Sequence, residues 1–98
     1  MAINMNPVRQ VVQLDNEGYH ATSTDNDLLT QIVAKGGKAT GLRAVLASND
    51  HATDRAWIQS PGSTAGRGIC LVAGDSVLLV GVDTTLRYQG QLTCGLIY

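Results

Sequence analysis

The sequence predicts an all-β domain, a small jelly-roll-like β-sandwich preceded by an extended N-terminal arm. Three observations carry that expectation. Short apolar runs recur about every 8–12 residues, the spacing of strands in sandwiches and barrels. Turn residues (Gly, Pro, Asn, Asp) separate the runs, and no segment sustains the 3.6-residue period of an amphipathic helix. The apolar fraction of 44% comes mainly from Val, Leu, Ala and Ile, with one Trp, three Tyr and no Phe.

Residues 1–27 read as the arm, partner-contacting, and residues 28–98 as the sandwich. Within the arm, Val8-Arg9-Gln10-Val11-Val12-Gln13-Leu14 suits a short strand because β-branched residues dominate it. Asp15-Asn16-Glu17-Gly18 follows as a turn. Residues 21–27 are polar and offer nothing to a core, as in a surface loop or a segment that orders against a neighbour.

Residues 28–34 are apolar and are closed by Lys35-Gly36-Gly37-Lys38. Asp25 or Asp27 could cap a helix there, but Ile32-Val33 and the Gly-Gly stop favour a strand. Residues 40–48 form the next strand, with Leu42, Ala44 and Leu46 on one face by period-two alternation. A polar loop over residues 49–54 leads to a strand at 55–59, and a Gly/Pro loop spans 60–66. Strands at 68–72 and 76–80 flank Ala73-Gly74-Asp75. Two more, at 86–89 and 91–98, are separated by Gly90, and in the last one Leu92, Cys94, Leu96 and Tyr98 share a face.

Composition narrows the function. Seven basic and eight acidic residues leave a net charge of −1. The basic residues Arg9, Lys35, Lys38, Arg43, Arg55, Arg67 and Arg87 are scattered, without the stripe that binds nucleic acid by counterion release. No apolar run approaches the roughly 20 residues that span a bilayer. The first residues lack the basic and apolar regions of a signal peptide, which points to synthesis in a cytoplasm. Cys70 and Cys94 sit in apolar runs and read as two buried thiols, with a disulfide as the alternative. A metal site is least favoured, since no CxxC or paired His accompanies them.

No catalytic motif appears, neither GxSxG, P-loop, GxGxxG nor HExxH. Ala65-Gly66-Arg67-Gly68 has no following Lys-Ser/Thr to hold a phosphate. Glu17 is the only Glu, so paired carboxylates for glycoside hydrolysis would have to come from Asp residues. His20 stands apart from His51. His51, with Asp50 and Asp54, reads as a solvated loop before it reads as a cation site or an acid–base pair. Trp57 is either a half-buried residue of a β face or an intersubunit anchor. The chain is thus expected to be non-enzymatic and to need no cofactor.

From residue 28 to residue 98 the order of elements is familiar. Leu28-Leu29-Thr30-Gln31-Ile32-Val33 leads into Gly41-Leu42-Arg43-Ala44-Val45-Leu46-Ala47-Ser48, then Asp54-Arg55-Ala56-Trp57-Ile58, then Gly68-Ile69-Cys70-Leu71-Val72-Ala73-Gly74-Asp75-Ser76-Val77. This pattern resembles the small β-sandwich structural proteins of tailed-phage virions, of the capsid decoration (cement) or head-fibre type. The resemblance implies a homo-oligomer, often a trimer, that binds and stabilises the major capsid shell. Its place would be the capsid surface of a bacteriophage virion assembled in the host cytoplasm, with no nucleic-acid or membrane partner. The arm would reach a neighbour by strand addition, through Val8, Val11, Val12, Leu14 and Tyr19, with Trp57 as a further partner-binding residue. The alternatives are a receptor- or glycan-binding fibre or tail module built around Trp57 or a tyrosine, and a small enzyme using His51 with Asp50 or Asp54.

Overall fold

The computed structural model describes residues 7–16, 27–59, 68–82 and 86–98. Its elements are β1 (Val8–Asn16), α1 (Leu28–Ala34), β2 (Ala44–Asn49), β3 (Ala56–Gln59), β4 (Ile69–Leu71), β5 (Ser76–Val80) and β6 (Arg87–Ile97). The fold is all-β but for that one short helix. Six strands join in one antiparallel sheet of order β4-β3-β6-β2-β5, with β1 also paired to β6. The sheet curls into a half-barrel. The second layer of a sandwich is not among the described residues.

β6 is the spine. It pairs with β1 along residues 90–97, with β2 along 92–97 and with β3 along 87–89. β3 therefore takes up β6 beyond the point where β2 leaves it, and the loop over residues 50–55 marks the corner. Gly90 stands at that corner with φ +103°, and a Cβ there would lie 2.9 Å from the Cα of Ala56. Only a glycine lets the two backbones pass so closely at a positive φ. The turn expected at Gly90 is thus a kink inside one continuous strand.

The inner face is set by register. Val12 and Leu14 lie opposite Cys94 and Leu92, while Val45 and Ala47 lie opposite Leu96 and Cys94. All seven belong to one buried cluster, completed by Ala56, Ile58, Leu71 and Tyr88 in the other limb. Leu92, Cys94 and Leu96 share the inward face that their alternation predicts, and Tyr98 packs against it. Leu42, Ala44 and Leu46 behave differently. Leu42 packs beside the cluster, whereas Ala44 and Leu46 alternate with its members Val45 and Ala47, so they face outward.

The strand expected over residues 28–34 is a helix. Leu28 and Ile32 lie one turn apart on the same side and are both fully buried, so the helix plugs the hollow of the sheet. Burying each of these side chains contributes about 1.5–3 kcal/mol. The Gly-Gly pair acts as the helix stop: Gly36, at φ +93°, donates its N–H to the Val33 carbonyl at 3.0 Å, and Gly37 donates to Ile32 at 2.8 Å. Asp27 occupies the N-cap position without a side-chain cap, its carboxylate turned to Arg87 instead (Nε to Oδ1, 3.9 Å).

Of the expected arm, residues 8–16 are β1, a strand of the chain's own sheet. Gln10 pins its start: the side-chain amide donates to the Gly36 carbonyl at 2.8 Å, and its oxygen accepts the Lys38 N–H at 3.3 Å. The Tyr98 hydroxyl donates to the Lys38 carbonyl beside them. The turn and polar stretch expected over residues 17–26, with Tyr19 and His20, and the loop expected over 60–66 lie outside the described residues.

Candidate functional surfaces

Asn49, at the end of β2, organises the loop that holds His51. It is buried, and its side-chain N–H groups donate to the Leu71 and Asp54 carbonyls, each at 2.8 Å. Its side-chain oxygen accepts the His51 N–H at 3.0 Å. The His51 ring then caps the loop, because Nδ1 accepts the backbone N–H groups of Thr53 (3.1 Å) and Asp54 (2.9 Å). Nε2 lies 3.6 Å from Asp54 Oδ2, while Asp50 accepts the Thr93 hydroxyl instead of turning to His51. With Nδ1 engaged by the backbone, the ring's lone pair is spent on holding the loop. Among the described residues no group of three or more His, Cys, Asp or Glu could hold a metal ion. Cys70 is half-buried, Cys94 is buried, and both are free thiols. Burial, and secondarily the Asp50 carboxylate, pushes the Cys94 thiol up to about 12, the opposite of an activated nucleophile.

Beside this loop an open cleft of about 490 Å³ is lined by Thr53, Asp54, Arg55, Trp57, Gln89, Gly90 and Gln91. β3 places Trp57 there, opposite Cys70 on one side and Gln89 on the other. Trp57 is only partly exposed there, amid amide, carboxylate and guanidinium groups, which suits a small polar ligand stacked on a flat ring.

The outer face of the sheet has a different character. Reading across the strands, Val11, Gly95, Leu46 and Leu78 form one row, and Ile97, Ala44 and Val80 form the next. Val8 lies over Gly95, where a Cβ would come within 3.0 Å of its methyl groups. Val11 and Leu78 are each 54% exposed and Val80 78%, while Leu46 and Ala44 are buried between them. The adjoining row, Gln13, Thr93, Ser48 and Ser76, is polar and uncharged, closed by a Ser48–Ser76 hydroxyl bond of 2.8 Å. The result is a charge-free apolar strip with a polar border, as on surfaces that meet another protein.

The residues expected to bind a partner are therefore divided. Val8 and Val11 belong to the outer strip and Trp57 to the cleft. Val12 and Leu14 point into the core, at 4% and 1% exposure, and present nothing outward. Leu78, Val80 and Leu46 were not anticipated. A signal for them exists in the unbroken run Val77-Leu78-Leu79-Val80, since a strand apolar on both sides is usually covered on both. No helix among the described residues is long and apolar enough to cross a membrane. Comparison with protein-family models, with curated proteins and with solved structures finds no match.

Proposed function

We propose that the chain is a non-enzymatic virion structural protein, a capsid decoration or cement protein that binds and stabilises the major capsid shell. The observation that carries this reading is the outer strip, in which Val11, Leu78 and Val80 stand more than half exposed and no residue is charged. Exposed apolar side chains in one contiguous strip gain free energy when a partner covers them, at about 25 cal/mol per Å². The resemblance over residues 28–98 to tailed-phage virion proteins supplies the class of partner. The sandwich suggested by the strand spacing is completed between molecules, with the outer strip packed on a partner's surface. A homo-oligomer adds many weak copies of this contact on a symmetric shell and gains avidity from their number.

Co-sedimentation with shells assembled from the major capsid protein of the same virus tests the proposal. Binding that saturates at a fixed ratio to the capsid subunit, and that Leu78→Asp abolishes, is the expected result. Folded protein that stays in the supernatant at every concentration overturns it.

A second reading, a glycan-binding fibre or tail module, rests on the Trp57 cleft and its polar lining. It predicts glycan-array signals that disappear in Trp57→Ala and survive Leu78→Asp.

A further inference from the structure

We propose that the outer edge of β1 is a two-fold interface between two copies of this chain. Among the described residues β1 pairs with β6 alone, so its other edge carries main-chain groups without a strand partner. Hydrogen bonds at the two ends of β2 establish which groups these are. The Asn49 N–H donates to Asp75 at 2.9 Å, Gly74 donates to the Asn49 carbonyl at 3.0 Å, and Gly81 donates to the Arg43 carbonyl at 3.2 Å. Odd-numbered residues of β2 therefore face β5. By the alternation of an antiparallel ladder, Ala44, Leu46 and Ser48 face β6, opposite Ile97, Gly95 and Thr93. Leu92, Cys94 and Leu96 then face β1, opposite Leu14, Val12 and Gln10. Val11, Gln13 and Asp15 are left with N–H and C=O groups directed away from the sheet.

An antiparallel copy must offer groups of the same kind, which restricts the register to a few choices. Centred on Val12, the pairing sets Val11 against Gln13 of the other copy and Arg9 against its Asp15. The two-fold axis repeats the Arg9–Asp15 pair at the far end. Arg9 is the extra residue of the bulge between Val8 and Gln10, and both charged residues are exposed. Centring on Val11 would set Asp15 against Pro7, and centring on Gln13 would set Asp15 against Val11. Charge complementarity selects the Val12 register. In that register the core rows of two sheets also meet through Val12. β5, which among the described residues pairs with β2 alone, lacks this property, because Ser76, Leu78 and Val80 carry no charge to select a register.

Within one chain Arg9 and Asp15 are separated by roughly 20 Å along the strand, at about 3.3 Å per residue, so they meet only between copies. Sedimentation equilibrium of the wild type, of Arg9→Asp, of Asp15→Arg and of their equimolar mixture tests the interface. The wild type should dimerise, and each variant alone should self-associate at least tenfold more weakly, since two like-charge pairs replace two opposite ones. The mixture should recover wild-type affinity, because a heterodimer restores both pairs. Circular dichroism of the two variants identical to that of the wild type, and thermal unfolding that matches it at concentrations where all are monomeric, separate this effect from misfolding. A wild type that remains monomeric, variants that associate as well as it does, or a mixture that fails to recover overturns the inference. Leu78→Asp should leave dimerisation unchanged, so failure here is distinguishable from failure of capsid binding.

Discussion

The two faces of this one sheet have similar chemistry and different fates. Inward, Val12, Leu14, Val45, Ala47, Leu92, Cys94 and Leu96 are closed off by α1 and by the curl of the sheet itself. Outward, the rows are nearly as apolar, yet Val11, Leu78 and Val80 stand more than half exposed around the buried Leu46 and Ala44. The difference teaches that hydrophobic alternation marks the two sides of a strand without saying which of them the chain will fill. A face left open in this way is where a small domain obtains further stability from association.

The largest break between the faces should come from truncating the inner one. Leu96→Ala removes a fully buried side chain and should cost about 2–5 kcal/mol of unfolding free energy in a urea titration. Capsid binding by the folded fraction should not change.

Alkaline titration should come next. Cys94 has its pKa raised from 9.0 to about 12 in the folded chain. Since the raised value favours the protonated thiol in the folded state, the stabilisation is complete below pH 9. It is lost as the pH climbs from about 9 toward 12, by up to about 4 kcal/mol. Comparing the pH dependence of Cys94→Ala with that of the wild type isolates this contribution, because lysines and tyrosines titrate equally in both.

Asn49→Ala strikes the corner where the limbs of the sheet meet. It leaves the Leu71 and Asp54 carbonyls without their donor and should cost about 1–3 kcal/mol. Hydrogen exchange should quicken first in the loop over residues 50–54. The smallest effect on stability belongs to the outer face. Leu78→Ser should move the unfolding midpoint by the equivalent of about 0.5 kcal/mol or less, as exposed substitutions do, while weakening binding to capsid shells. If Leu78→Ser costs as much stability as Leu96→Ala, the outer face is part of the core and the contrast fails.

Several of these features were legible in the residues themselves. The period-two run at the C-terminus declared the inward face of β6, and Gly74 with Asp75 announced the turn before β5. Among the site residues, Trp57 was legible as a partly buried residue of a β face, and the motif-poor loop around His51 as a loop. Other features were not. A seven-residue helix shows too few turns for its period to register, so the Leu28 and Ile32 pair looked like part of a strand. Gly90 resembled a turn because positive φ is needed both in turns and at kinks, and only the approach of Ala56 distinguishes the two.

The sequence by itself determined that the chain would be mostly β, and that β1 and β2 would end at asparagines and β5 at a glycine. These follow from local sterics and side-chain chemistry, which act over a few residues. Only the tertiary structure decided that β1 belongs to the sheet, that Val12 and Leu14 are core while Val11 is surface, and that Leu78 and Val80 line up with it on an open face. Those outcomes depend on which strand pairs with which, and in what register. A one-residue slip exchanges every side chain between the faces, and nothing within a single strand says where its partner lies.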